Sequence, residues 1–221
     1  MNTRFRDRNE AGDLLVEQLA AYANQRNVLV LALPRGGVPV AAQVAKQLNT
    51  PLDVFTVRKL GSPGHAELAM GAIASGGVRV FNEEVINAVR IPDEVIAEIT
   101  AREFQELQRR ERLYRDDLPP PAVEGKTVIV VDDGVATGST MVAAISALRQ
   151  LKVKRIVVAT PVIARSTQDT VARFADEVVT VLAPIDFYGV GQWYEDFSQT
   201  SDDEVRALLD QANRRVTSAA A

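Results

Sequence analysis

Apolar residues along this chain fall into two rhythms. Short unbroken runs occur at residues 27–33 (NVLVLAL), 52–57 (LDVFTV), 128–131 (VIVV), 155–160 (RIVVAT) and 177–182 (EVVTVL). Runs of that length, β-branched and bounded by turn residues, predict strands buried on both faces of a parallel sheet. Between them the apolar positions recur at helical spacing: Leu14, Leu15, Leu19 and Ala20 within residues 9–24, then residues 40–48, then Met141, Val142, Ile145 and Leu148, then 168–174. A last helix is predicted over residues 202–209, with 216–221 frayed. Strands alternating with helices predict an α/β fold: a doubly wound, mainly parallel sheet with right-handed crossovers. No period of 20–50 residues recurs.

A different pattern interrupts the alternation. Residues 71–74 and 78–81 flank Ser75-Gly76-Gly77 and read as a β-hairpin, and 83–89 as a short helix. Pro92 suits the first turn of a long helix running to about residue 115. Val95, Ile96, Ile99, Phe104 and Leu107 form its apolar stripe; Glu94, Glu98, Arg102, Glu106, Arg109, Arg110 and Arg112 form its other face. That face suits intrahelical charge pairs, a subunit interface or part of a substrate hood. Residues 1–221 are expected to be one domain, with an insertion at about 70–118 and a separate loop at about 184–200.

Composition narrows the function classes. The 221 residues include no cysteine, which excludes disulfides, thiolate metal sites and a cysteine nucleophile. The net charge of −4 gives no reason to expect nucleic-acid or anionic-membrane binding. No apolar run reaches membrane-spanning length and the first residues show no signal core, so a cytoplasmic enzyme-sized domain is expected.

The chemistry concentrates at strand ends. The run at 128–131 stops at two adjacent carboxylates, Asp132 and Asp133, and a loop then supplies Gly134, Thr137, Gly138, Ser139 and Thr140 ahead of a helix. Free N–H groups and the helix dipole make such a loop an anion cradle, most naturally for a phosphate. The aspartates suit sugar hydroxyls or a hydrated divalent cation. Residues 27–33 likewise run into Pro34-Arg35-Gly36-Gly37-Val38-Pro39, either a plain tight turn or a second anion loop with an arginine fork. Arg58-Lys59-Leu60-Gly61-Ser62-Pro63-Gly64-His65-Ala66-Glu67 is rich in turn formers and reads as irregular, suited to a hinged lid. The aromatics of residues 184–197 (PIDFYGVGQWYEDF) either close the core or stack on a flat base.

Taken together, these motifs resemble the type I phosphoribosyltransferases. Hydrophobic strand, two acids, three variable residues and Thr-Gly-x-Thr match that family's signature for phosphoribosyl pyrophosphate (PRPP). Ala136 before Thr137-Gly138 is similar to the adenine-using branch, whereas the 184–197 loop resembles the 6-oxopurine branch. The resemblance covers about residues 28–200. It implies transfer of 5-phosphoribosyl from PRPP to a nitrogen acceptor, a nucleobase, with Mg²⁺ and release of pyrophosphate. It also implies roles. Ala136, Thr137, Gly138, Ser139 and Thr140 hold the 5-phosphate, and Arg35, Gly36, Gly37, Arg58 and Lys59 receive pyrophosphate. Asp132 and Asp133 act in catalysis and, with Asp196, on the metal; Glu67 is a further catalytic candidate. Phe187, Tyr188 and Val190 hold the base. Relatives in that family are commonly dimers, which leaves a homodimer open. A non-catalytic PRPP sensor is the alternative, whose sign would be an exposed basic face at Arg109–Arg115. No single acceptor base follows from these residues.

Overall fold

The computed structural model describes residues 4–116 and 118–219, with the side chains of residues 66, 67 and 215–219 left out. In chain order it contains α1 (Arg8–Leu19), β1 (Val28–Ala32), α2 (Gly37–Leu48), β2 (Leu52–Val54), β3 (Val57–Ser62), β4 (His65–Ala74) and β5 (Val78–Phe81). There follow α3 (Glu83–Val89), α4 (Asp93–Arg115), β6 (Thr127–Val131), α5 (Ser139–Gln150), β7 (Arg155–Val162), α6 (Arg165–Ala172), β8 (Glu177–Leu182) and α7 (Asp202–Ala219).

The main sheet is wholly parallel, in the order β2-β1-β6-β7-β8. Side-chain alternation along its strands divides the core. Val28, Val30 and Ala32 of β1 join Ile129 and Val131 of β6 beneath α1, α2 and α7. Leu29, Leu31 and Leu33 join Val128 and Val130 on the opposite face, under Met141, Ile145 and Leu148 of α5. Both faces being covered explains why these strands read as continuous apolar runs. Because α2 and α5 leave β1 and β6 toward opposite faces, their loops part between the two strands. That divergence is the crevice where open α/β sheets take ligands. Among the described residues, no helix is long and apolar enough to cross a membrane.

Beside this sheet stands an antiparallel one, β3-β4-β5. Its Leu60, Met70 and Ile73 pack on Ile91, Ile99 and Leu107, with Val95, Ile96 and Phe104 at the margin, so the expected stripe of α4 is its buried face. The hairpin expected around residues 75–77 forms, with Gly76 and Gly77 at φ +80° and +76°.

Four expectations are corrected here. The run at 52–57 is not one strand: β2 ends at Val54, and β3 begins at Val57 in the other sheet. Phe55 and Thr56 make the crossing, held by Phe55 N–H donating to the Ala32 carbonyl and Thr56 N–H to Ser75 Oγ. Periodicity reports burial, and burial continues across the junction of the sheets. Nor are residues 58–67 irregular. They are β3, a turn at Pro63-Gly64 and the start of β4, with register shifts at Leu60/Gly61 and Gly61/Ser62 absorbing the glycine. The smaller sheet thus starts at Val57, ahead of the insertion boundary expected near residue 70. Helix α7 also continues to Ala219, past the expected end at 209 and into the stretch read as frayed.

Candidate functional site

Strand β6 delivers Asp132 and Asp133 at the crevice, and strand β1 delivers Gly36 and Gly37 directly against them. A Cβ on Gly37 would lie 2.6 Å from the Val131 carbonyl oxygen and 3.0 Å from Asp132 Cα. The glycines are therefore needed for contact between the two loops rather than for their torsions, since Gly36 has φ −59° and ψ −34°. The Pro34–Arg35 peptide is cis. Arg35 reaches out from this loop, 3.7 Å from Asp202 at the start of α7, with its side chain 34% exposed.

The two carboxylates have different surroundings. Asp133 is buried, and the Arg8 guanidinium of α1 donates to its Oδ2 from Nε at 2.9 Å and lies 2.8 Å away through a terminal nitrogen. Tyr194 Oη donates to the Asp133 carbonyl at 2.6 Å. Asp132 is partly buried; its Oδ1 accepts the Asp133 N–H, and no cation pairs with it among the described residues. Burial, then the neighbouring Asp133 charge, pushes the Asp132 carboxyl well above the usual range. Burial raises Asp133 too, with Arg8 opposing. Burial and then Asp133 raise the Tyr194 phenol, which keeps it a donor.

The threonine-glycine loop after β6 is propped from α6 and from the end of β7. Thr167 Oγ1 donates to the Ala136 carbonyl, and Val135 N–H donates to the Val162 carbonyl at 2.9 Å. Gly138 takes φ +77°, where a Cβ would also come within 2.7 Å of Thr167 Cγ2. Helix α5 begins at Ser139, so its first-turn N–H groups have no intrahelical partners and open beside the Thr137 and Ser139 hydroxyls.

The aromatic loop contributes from the other side. Val190 packs so closely on Gly134 that a Cβ there would lie 2.3 Å from Val190 Cγ1. Phe187 leans on Trp193 at 6.3 Å between centroids, whereas Tyr188 is 91% exposed. Tyr194 closes the core against Phe5 and Phe197.

The fold thus gathers Gly36, Gly37, Asp132, Asp133, Gly134 and Val190. It engages others elsewhere. Arg58 grips Glu103 of α4 through Nε at 3.0 Å and a terminal nitrogen at 2.6 Å. Lys59 and Ser139 line a cavity of about 380 Å³ between the smaller sheet and α5. Asp196 is exposed and accepts the Ser198 N–H; among the described residues no three acids or histidines cluster as a metal site, so Asp196 does not complete one with Asp132 and Asp133. The side chain of Glu67 lies outside the described residues. Arg8 was not anticipated: 125 residues separate it from Asp133, and its local sequence shows only a helix start after the N-cap Asp7.

Known proteins resemble this chain in sequence and in fold. The family pattern described as "Phosphoribosyl transferase domain" matches residues 7–196. In two strains of Mycobacterium tuberculosis the chain is similar to proteins named "Putative phosphoribosyl transferase MT0597" and "Putative phosphoribosyl transferase Rv0571c". Each is 44% identical over 220 residues, 98% of this chain and 49% of theirs. The chain therefore spans about half the length of these curated relatives. Its structure is similar to that of TT1426 from Thermus thermophilus, with 42% identity, a TM-score of 0.84, and coverage of 94% of this chain and 98% of that one. From the matched residues and the identities of these relatives, the chain belongs to the phosphoribosyltransferase family.

Proposed function

We propose that this chain transfers 5-phosphoribosyl from PRPP to a nitrogen acceptor, a nucleobase, and releases pyrophosphate. The observation that carries this reading is the contact of two anion loops at one carboxylate pair: Gly36 and Gly37 pack against Asp133 and Asp132, and the α5 N-terminus opens from the same strand end. In the reaction the bond from sugar C1′ to a pyrophosphate oxygen breaks, a C1′–nitrogen bond forms, and the acceptor N–H proton leaves. Positive charge grows on the sugar while negative charge grows on pyrophosphate. Catalysis is then chiefly positioning and electrostatics.

Residues 136–140 hold the 5-phosphate through backbone N–H groups and hydroxyls. Arg35 and the Gly36-Gly37 amides receive pyrophosphate, and Arg35 has only a long contact to Asp202 to give up. Lys59 stands ready on the smaller sheet; Arg58 serves by anchoring that sheet to α4 through Glu103. The acid pair stands at the ribose end of the donor site, with Asp133 held by Arg8 and Asp132 without a cation partner among the described residues. Its donor set fits Mg²⁺, which commonly takes one or two carboxylates and completes its shell from phosphate and water. When bound, Mg²⁺ neutralises charge on the leaving pyrophosphate. Tyr188 offers a stacking face to the acceptor.

Three of the four arginines proposed as a basic face are paired, Arg109 and Arg110 with Glu106 and Arg115 with Asp53, while Arg112 is exposed. That favours transfer over a nucleic-acid-binding sensor. The test is pyrophosphate release from PRPP and Mg²⁺ across purines, pyrimidines and amines. Turnover with one acceptor class is expected. PRPP binding without any turnover would assign a sensor, and unchanged PRPP affinity in the Asp132→Asn, Asp133→Asn double variant would remove the site.

A further inference from the structure

One side chain ties the acid pair to the aromatic loop. The Arg8 guanidinium places two nitrogens on Asp133 Oδ2, at 2.9 and 2.8 Å, and donates through its third nitrogen to the Ser198 carbonyl at 2.7 Å. Its central carbon sits 4.1 Å from the Phe197 ring centroid and 5.9 Å from that of Tyr194. The two charged side chains are only 11% and 13% exposed. The backbone continues the same join. Phe5 N–H donates to the Trp193 carbonyl, Glu195 N–H to the Phe5 carbonyl, and Asp196 N–H to the Arg6 carbonyl, all at 2.8–2.9 Å. On its remaining side, Asp133 Oδ2 occupies the space that a side chain on Gly36 would need.

Asp133 Oδ2 is therefore held from two sides, by α1 and by the Gly36 loop. An anion so enclosed and paired would have to break a buried, charge-assisted contact before it could bind anything else. Asp132 has no such partner among the described residues.

We propose that Arg8 is a positioning residue that fixes Asp133 as an internal counter-ion, leaves Asp132 as the carboxylate presented to the donor ribose, and sets residues 192–198 in register with the donor site. The adjacent acids then do different work. One faces the ligand, and the other joins α1, the Gly36 loop and the aromatic loop. This rests on the phosphoribosyl-transfer reading above, and the experiment separates the two.

The measurement is PRPP–Mg²⁺ affinity by calorimetry, with the emission of Trp193, the sole tryptophan, as a reporter of the aromatic loop. Arg8→Gln should weaken PRPP about tenfold or more, because it leaves Asp133 charged, buried and free to turn toward the donor site. It should also shift Trp193 emission. Arg8→Lys should recover part of both by restoring the charge without the fork. The deciding variant adds Asp133→Asn to Arg8→Gln. Removing the stranded charge should regain at least fivefold in PRPP affinity over Arg8→Gln alone. Further loss in that double variant would make Asp133 a direct ligand group and overturn the inference, with the transfer reading intact. A wild-type chain that fails to bind PRPP would overturn the transfer reading and this division of labour with it.

Discussion

The carboxylate of Asp133 fills the space that a side chain at Gly36 would take: a Cβ built on Gly36 lies 2.0 Å from Asp133 Oδ2. One loop from β1 and one from β6 thereby close on each other without an intervening atom.

Gly36→Ala isolates that contact. Its backbone lies in the ordinary helical region, so alanine suffers no torsional penalty and only the collision remains. A loss of about 1–3 kcal/mol is expected from such overpacking. PRPP should bind at least tenfold more weakly as the acid pair shifts. Urea unfolding and calorimetry check the two effects, and wild-type values for both would show that the loops do not touch.

Asp132→Asn should stabilise the ligand-free protein while abolishing PRPP binding. Burial and Asp133 raise the folded-state pKa of Asp132 above its unfolded value. The unfolded chain gives up this proton near about pH 4, before the folded one does. Stability from this group is thus present at low pH and declines as pH rises through the raised value. The neutral amide escapes that decline. Thermal melts from pH 4 to 8 should show the variant's advantage growing with pH.

Tyr188 and Phe187 should separate acceptor binding from stability. Tyr188 is 91% exposed, and Phe187 packs on Trp193. Tyr188→Ala should raise the acceptor KM by about tenfold, within the usual value of base–aromatic stacking, with Tm unchanged. Phe187→Ala should lower Tm. Steady-state kinetics beside calorimetric melts decide, and equal KM for Tyr188→Ala and wild type would take Tyr188 out of the acceptor site.

The buried fork of Arg115 on Asp53 should behave as a structural pair remote from chemistry. Both contacts are 2.8 Å, and Arg115 is 8% exposed. Arg115→Ala strands Asp53 and should cost about 3–5 kcal/mol. Arg115→Met with Asp53→Leu should cost far less, because neither charge remains. Denaturant midpoints of the wild type and the two variants measure this.

Much of the fold was legible in the sequence because its signals are local. Val128 to Val131 read as a two-faced strand since each residue is apolar, and the sheet buries each one. The acid doublet with its threonine-glycine loop was legible for the same reason: strand, carboxylates and helix start lie within a few residues of one another. The glycines of the first loop were also visible, although only the structure shows that their task is contact with Asp132 and Asp133. The crossing at Phe55-Thr56 was hidden, because alternation records burial and both sheets bury their share.

By itself, then, the sequence determined which strands are central and where the glycine-bearing loops follow them, and it left the acceptor unread. Tertiary structure alone decided which charged groups meet. Arg58 finds Glu103, Arg115 finds Asp53, and Arg8 finds Asp133 across long stretches of chain. Such pairings depend on how strands order and helices pack, and no local pattern encodes the partner. They are what makes two neighbouring aspartates unequal.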